Sequence, residues 1–481
     1  MGSVFRDNVT QLRVALKQHP TVIIGAGRKG RSIAADLLER HDEKAVIVEQ
    51  QAGHKSSAEL RRAGHLVIKG DAAFKETLKS AGALKARQLI CFARDQTVGV
   101  QVAGQLRELW RKKAGDGGEH CDCHVHLDNP RLVDLFRSHG NARDEAVRVH
   151  FFNLHKMMAR SLFQRLPQEL APALQRGEVR KLRVDLIGFT NPGQAILLQG
   201  LRVLHLGLAQ GVAWHVWVDA SQGTPGSARQ ALLARHPLAD EVADIRFHSV
   251  DAQYRALLDA QAGEAEGTLS LVICALPSDE ASLTAAAEIL HATPSGDFRV
   301  FALCEDASGL AALLTGPGQA NQASQRLKLF GNLEEFCTVE MICGAQQDRL
   351  AQAIHADYLQ LTQGTAGESD AYKTAWEALD EDARDANRAQ ADHLPYKLML
   401  VGGSVANIDE QALEFLAAIE HQRWAAHRYL NGWRYGPERD DERRLHPSLV
   451  PWAELSEGER EKDRDAVRRM AQLQSLGKGV L

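Results

Sequence analysis

TVIIGAGRKGRSIAADLLER, residues 21–40, changes its hydrophobic period midway. Val22 to Ile24 is a short apolar run of strand type, whereas Ile33, Ala34, Leu37 and Leu38 recur at helical spacing. Between them Gly25, Gly27 and Gly30 stand in the spacing G-x-G-x-x-G. The spacing is informative because it directly follows a strand and opens a helix. There the first glycine permits a tight turn, the second lets a pyrophosphate approach the backbone, and the third lets the helix pack on the strand. Free N–H groups at the helix start supply an anion site, with Arg28 and Lys29 beside it. The next strand, AVIVE (45–49), ends in Glu49, 24 residues past Gly25, close to the ~20-residue distance of a ribose-binding acid. An acid there accepts from ribose hydroxyls and repels a 2′-phosphate. These residues predict a site for NAD(H) or an adenine nucleotide (ATP, ADP or AMP) rather than NADP. The alternative is a sheet of this kind that holds no ligand.

Further apolar runs follow at HLVIKGD (65–71), LICFA (89–93) and CDCHVHL (121–127), with helical stretches between them. Strand–helix alternation predicts parallel strands with right-handed crossovers, an α/β doubly wound sheet. The pattern then restarts. LRVDLIGFTNPGQAILLQGLRVLHLGL (182–208) reads strand, glycine turn, helix; HVWVDA (215–220) is a strand ending in Asp219; LVICALPSDEA and FRVFALCEDA are later strands. This predicts an internal duplication with a period of about 160 residues, two tandem Rossmann-like units. In the second copy Gly188 and Gly193 persist, but Thr190 replaces the middle glycine and Pro192 removes a backbone N–H from the anion site. With Asp219 as the strand-end acid, Gly188, Thr190 and Gly193 define a second nucleotide site; a structural or dimerising copy is the favoured reading. QAGEAEGT (261–268) reads as a surface loop. From about 345 the strands stop, and four of the seven tryptophans lie in helical sequence beyond that point. The expected organisation is an N-terminal helix (1–19), a nucleotide-binding unit (20–150), linking helices (151–180), a degenerate second unit (181–345), a helical connector (346–409) with a linker at 361–371, and an all-α domain (410–475).

At 481 residues the chain exceeds a single core and divides into roughly three domains. An apolar fraction of 44% and a charged fraction of 25% are those of a soluble globular protein. A net charge of −5 without a basic stripe argues against nucleic-acid binding. Seven cysteines, most in apolar runs, read as reduced thiols of a cytoplasmic protein. The N-terminus has no signal-peptide core, and residues 195–218 carry Arg202, His205 and His215, which suits a buried helix and strand better than a membrane span. HCDCHVH (120–126) resembles a metal cluster, yet strand alternation turns Cys121 and Cys123 to the core and His124 and His126 outward, so no metal site is expected. No G-x-S-x-G, H-E-x-x-H, P-loop or C-x-x-C is present, and His155 reads as a packing residue. The chain therefore reads as a regulator rather than an enzyme, with an NAD-dependent oxidoreductase of unspecified substrate as the alternative.

GAGRKGRSIAADL, VIVE, Gly70-Asp71-Ala72, LKSAGA and the strand before Arg94-Asp95 together resemble the TrkA-type N-terminal (RCK) domain of bacterial potassium transporters and channels, over about 20–140. The resemblance implies that Asp71 lies near the adenine–ribose end, that Asp95 sits at the cleft beyond the fourth strand, and that Arg28 meets phosphate. It further implies a link to potassium transport, a membrane-transport or effector partner, and pairing of such domains, within the tandem or as a homodimer. At the other end, EFLAAIEHQRW, NGWRYGPERDDERRLHPSLVPWAEL and KDRDAVRR resemble the ryanodine-receptor (RyR) domain over about 410–475. His421, Trp424 and Arg428 share one helical face, and with Trp433, Tyr435 and Trp452 they form either a pocket that stacks a base or holds a cation, or tryptophan core filler. Glu438 to Arg444 reads as a solvated loop. A third reading, a nucleotide-responsive sensor, effector or scaffold in bacterial stress or phage defence, stays open.

Overall fold

A computed structural model of the chain describes residues 10–51, 55–93, 95–113, 120–128, 146–251, 254–293, 298–306, 308–309, 326–361, 374–404 and 408–477. Apart from Leu361, the expected linker at 361–371 lies outside them, as does Arg94. The chain forms two compact units, Met1–Leu154 with Leu333–Gln346, and His155–Asn332 with Gln347–Leu481.

The first unit opens with a helix at 10–16, α1. It continues through β1 (Thr21–Ile24), α2 (Arg28–His41), β2 (Val46–Glu49), α3 (Lys55–Arg62), β3 (Leu66–Lys69), α4 (Lys75–Ser80), β4 (Gln88–Cys91), α5 (Gln96–Lys113), β5 (Cys121–His126) and β6 (Val147–Phe152). All strands are parallel, in the order β3-β2-β1-β4-β5-β6. Strands such as TVII and QLIC are buried along their whole length because crossover helices cover both faces of a parallel sheet. Val22, Val46, Leu89, Cys91 and Val125 meet Leu78, Val102 and Leu106 in one core. Burial pushes the Cys91 and Cys121 thiols up to about 12, as apolar surroundings disfavour thiolate.

His124 and His126 of HCDCHVH do not face solvent, unlike His120 at its start. His124 and His126 are each only 5% exposed, because the second face of the sheet is covered as well. His124 stacks on His150 of the neighbouring strand, with centroids 4.9 Å apart. Among the described residues no group of three or more histidine, cysteine or carboxylate side chains is placed to hold a metal ion.

The unit is completed by α11 (Leu333–Phe336) and α12 (Val339–Ile342), which follow the second sheet in sequence but pack on α2.

The second unit contains α6 (Leu154–Leu174), β7 (Lys181–Ile187), α7 (Asn191–Val203), β8 (Val212–Val218), α8 (Pro225–Arg235), β9 (Asp244–Ser249), α9 (Arg255–Ala262), β10 (Thr268–Cys274), α10 (Asp279–Ala292), β11 (Arg299–Leu303) and β12 (Leu327–Phe330). Its sheet runs β12-β11-β10-β7-β8-β9, again wholly parallel. Numbered from its own first strand this is the order of the first sheet, 3-2-1-4-5-6, the doubly wound arrangement. The duplication is therefore real at the level of topology.

Four long helices follow: α13 (Arg349–Leu361), α14 (Glu381–Leu400), α15 (Glu410–Leu430) and α16 (Glu457–Gly477). Ile354, Leu394, Leu416, Ala417 and Val467 form their core. A buried ion cluster ties these helices to the second sheet instead of leaving them as a module apart. Asp392 on α14 accepts from Arg160 on α6 at 2.7 Å and from Gln199 on α7 at 2.9 Å. Arg160 also reaches Asp348, which Arg388 holds from the other side at 2.7 Å. The helical end is not free of strands: β13 (Arg434–Tyr435) and β14 (Leu445–His446) form a two-residue parallel pair around the charged run.

Candidate functional site

The cleft at the C-terminal ends of β1 and β4 is built by the glycine loop. Gly25 has φ 101°, a left-handed conformation that favours glycine, and its N–H donates to the Val48 carbonyl at 2.8 Å. A Cβ on Gly30 would lie 1.9 Å from the Gly25 carbonyl oxygen, so only glycine lets α2 sit this close to the loop. Gly27 differs from both. Its backbone is extended (φ −67°, ψ −174°), and a Cβ there would meet nothing within 4 Å. No element of the fold requires a glycine at this position.

Gly27 is the N-cap of α2 but offers no side chain to the helix start. The first turn contains no acid and carries Arg28 and Lys29. The orphan N–H groups of a helix and its positive end normally attract a capping oxygen or an acidic side chain. Two cations on an N-terminus whose N-cap residue supplies no side-chain cap oppose that preference, and an anionic ligand would satisfy it.

Glu49 closes the cleft on the β2 side. Its Oε2 accepts from the Ala26 N–H at 2.8 Å and its Oε1 from the Gln51 N–H at 2.9 Å, so the carboxylate is locked against the glycine loop. Asp71, after β3, accepts from the Ala73 N–H at 2.9 Å and from the Gln50 side chain at 3.1 Å, which places it beside the Glu49 corner. Asp95, after β4, accepts from the Thr97 N–H and hydroxyl at 2.9 and 2.7 Å. Those hydrogen bonds hold its carboxyl below the usual range. Gly25, Gly27, Gly30, Glu49 and Asp71 are thus brought together, and Asp95 sits on the neighbouring loop at the switch point between β1 and β4.

Two features escaped sequence reading. Gln50 links Asp71 to the β2 corner. Phe92, His126 and Phe152 form an aromatic trio at the ends of β4, β5 and β6, with centroids 5.4–6.3 Å apart. Their only signal in the sequence is a place at or near the end of three strand segments.

The second cleft repeats the frame and alters the contacts. Gly188 has φ 99°, and a Cβ on Gly193 would lie 2.2 Å from the Gly188 carbonyl oxygen. Thr190 caps α7 with the same extended backbone as Gly27 (φ −78°, ψ −174°), and Pro192 stands in the first turn. Asp219 does not take the place of Glu49. Ile24 pairs with Val48 in the first sheet and Ile187 with Trp217 in the second, so Val218 matches Glu49 and Asp219 lies one residue further on. A one-residue shift turns a side chain to the opposite side of a strand, and Asp219 instead accepts from the Ser221 N–H at 2.8 Å. The loop N–H of Phe189 is taken by the neutral amide of Gln222 at 2.8 Å, as Glu49 takes that of Ala26.

In the C-terminal region, His421 and Trp424 stack with centroids 5.6 Å apart, and Trp452 lies 5.9 Å from His421. His421 Nε2 lies 2.9 Å from the Val450 carbonyl, and the Trp452 indole N–H donates to Glu414 at 3.1 Å. The Arg428 guanidinium lies 4.6 Å over Trp433 and 5.6 Å over Trp424, so the protein's own cation occupies the aromatic cage. Trp433 is 8% exposed and serves as core. Tyr435 is 58% exposed and stands outside this cluster, contrary to the expectation that it shares a pocket or core with the tryptophans. Its place is taken by His446, 4.9 Å from Trp424, a residue on β14 just past the charged run. Burial together with Arg428 and Arg439 pushes His446 down to about 4, so it is neutral at pH 7. Among the described residues no helix is long and apolar enough to cross a membrane.

Residues 21–140 match the family model of the TrkA-N domain, and residues 404–477 that of the RyR domain. The chain is also similar to solved structures of GsuK. It is 12% identical to the GsuK RCK domain, covering 70% of this chain and 79% of that one, with a TM-score of 0.45. For the GsuK channel bound to NAD the figures are 13%, 73%, 66% and 0.44, and for GsuK bound to ADP 14%, 67%, 68% and 0.37. The chain spans 61% of the length of one GsuK mutant chain that it matches. It therefore carries a TrkA-N domain on its first sheet and a RyR domain at its C-terminal end.

Proposed function

We propose that the chain is a nucleotide-responsive regulator that binds NAD(H) or an adenine nucleotide in the cleft between Gly25 and Glu49. The observation that carries this reading is the α2 N-terminus: without a capping side chain from its N-cap residue, bearing Arg28 and Lys29, and fronted by a glycine with open space where a Cβ would stand. Backbone N–H groups and the positive helix end receive the phosphates. Glu49, held by two backbone N–H groups, accepts from ribose hydroxyls and refuses a 2′-phosphate. Asp71 and Asp95 flank the ligand. The TrkA-N match supports a regulatory role directed at a transport or effector partner, with the RyR domain as a second input or output. The second sheet holds no nucleotide and acts as a structural partner of the first.

The test uses the full-length chain with NAD, NADH, ADP, ATP, AMP and NADP as probes. Thermal melts are followed together with absorbance of the reduced cofactor. A ligand at one hundred times its Kd stabilises by about 2.7 kcal/mol, so a clear rise in Tm with NAD or an adenine nucleotide, a smaller one with NADP, and no steady consumption are expected. Absence of any rise defeats the binding reading, and sustained turnover of NADH would replace the regulator with an enzyme.

A further inference from the structure

Helix α2 presents its N-terminus to the cleft and its outer flank to a segment some 300 residues downstream. Ser32 Oγ donates to the Leu333 carbonyl at 3.2 Å, and Asp36 Oδ2 accepts from the Val339 N–H at 2.9 Å. Ser32 and Asp36 are four residues apart and share one face of the helix. Ser32 lies little more than a turn beyond the N-cap Gly27. Asp36 is 7% exposed, with Arg40 at 3.2 Å and His41 at 3.8 Å closing around it. Val339 opens α12, so Asp36 satisfies one of the donors that a helix start leaves unpaired. Leu333, Phe336, Cys337 and Ile342 are buried, so the segment is firmly seated. Yet residues 332 and 347, just beyond its two ends, belong to the second unit.

We propose that residues 333–346 form a strap that carries the state of the nucleotide cleft to the rest of the chain. The proposal rests on the nucleotide reading above. An anion bound by the first turn of α2 fixes that turn and, through Ser32 and Asp36, orders the strap; an empty cleft leaves both looser. Such coupling is reciprocal: weakening the clamp weakens nucleotide binding by the same factor that binding tightens the clamp.

Hydrogen exchange of the full-length chain, with ADP or NAD as probe and calorimetry alongside, tests the proposal. In the wild type, saturating ligand slows exchange within 333–346 several-fold. In Asp36→Ala and in Ser32→Ala the ligand still binds, with Kd raised several-fold, and the added protection is lost. Ser32→Ala removes a single hydrogen bond and carries the test should Asp36→Ala fail to fold. Calorimetric binding without any change in strap exchange overturns the proposal, as does full retention of the change in both variants. Absence of a calorimetric signal overturns the nucleotide reading itself, and the strap proposal falls with it.

Discussion

Changing Gly27 to alanine separates ligand from fold. Its extended backbone is open to any residue, and a Cβ there meets nothing within 4 Å. The apo protein should therefore tolerate Gly27→Ala: reduced freedom of the unfolded chain adds about 0.4–1 kcal/mol, and the poorer N-cap that alanine makes offsets a similar amount. In a unit of this size the apo Tm should move by no more than about 4 °C. Binding should suffer, because the methyl occupies the space through which a pyrophosphate approaches the loop N–H groups. A hydrogen bond to a charged group contributes about 1.5–3 kcal/mol, so loss of one weakens Kd by roughly 10- to 150-fold. Gly30→Ala makes the contrast. Its Cβ falls 1.9 Å from a backbone oxygen, and overpacking of that kind costs about 1–3 kcal/mol, so Tm should fall even without ligand. The assay is calorimetric titration with ADP and NAD beside thermal melts of both variants. If Gly27→Ala binds as tightly as the wild type, the close-approach argument is wrong. If it melts more than about 4 °C lower, Gly27 serves the fold.

Glu49→Gln keeps an acceptor for the Ala26 N–H but removes the charge; NAD affinity should fall about tenfold, roughly 1.4 kcal/mol, while the preference over NADP narrows, and an unchanged NAD/NADP ratio in calorimetry would sink the assigned role. Titration of the whole chain should reach one nucleotide per chain, because Thr190 and Gln222 have replaced what the second cleft needs; a stoichiometry of two refutes this. In the second unit, burial alone would raise the Asp348 carboxyl, but Arg388 and Arg160 outweigh it and bring it down from 3.8 to about 2. A lowered carboxylate stabilises above its unfolded pKa, and that contribution, about 2 kcal/mol, is lost as pH falls from about 4 towards 2. Asp348→Asn should accordingly lower Tm at pH 7 and flatten the acid limb of the stability curve, measured by thermal melts from pH 7 to 2; a parallel shift at every pH contradicts the assignment.

The sequence shows the interior of both sheets and one edge, β3, but hides the other three edges. β1, β2, β4, β8, β10 and β11 are largely apolar runs because both their faces are covered, whereas β7 buries the Arg183–Asp185 pair within its run. β6 (VRVHFF), β9 (DIRFHS) and β12 (LKLF) are edge strands, and edges carry interspersed charges that blur the apolar signal. The expected linking helices accordingly start at 151, two residues inside β6. The buried histidines of β5 went unread because alternation separates core from solvent only in a sheet with one wet face. The strap was invisible for a different cause. Nothing local in LEEFCTVEMI indicates that its partner is a helix 300 residues upstream.

The tandem supplies its own control for the cleft. Both copies share strand order, a left-handed first glycine (φ 101° and 99°), and a third glycine whose Cβ would strike the carbonyl oxygen of the first at 1.9 and 2.2 Å. These are the glycines the fold itself demands, and each copy has them. The middle position makes no such demand, since its backbone is extended in both copies (ψ −174°) and Gly27 has open space around it. There the copies part: glycine in the first, threonine in the second. They part again at the acid, which sits one register position later in the second strand and turns into its own loop. Steric pressure from the fold accounts for the positions that agree, and it leaves the middle position and the strand-end acid free to vary. The copies therefore differ only where a ligand, and not the fold, would discriminate. That is the pattern the proposal of one nucleotide cleft per chain requires, and the stoichiometry of titration decides whether it has that cause.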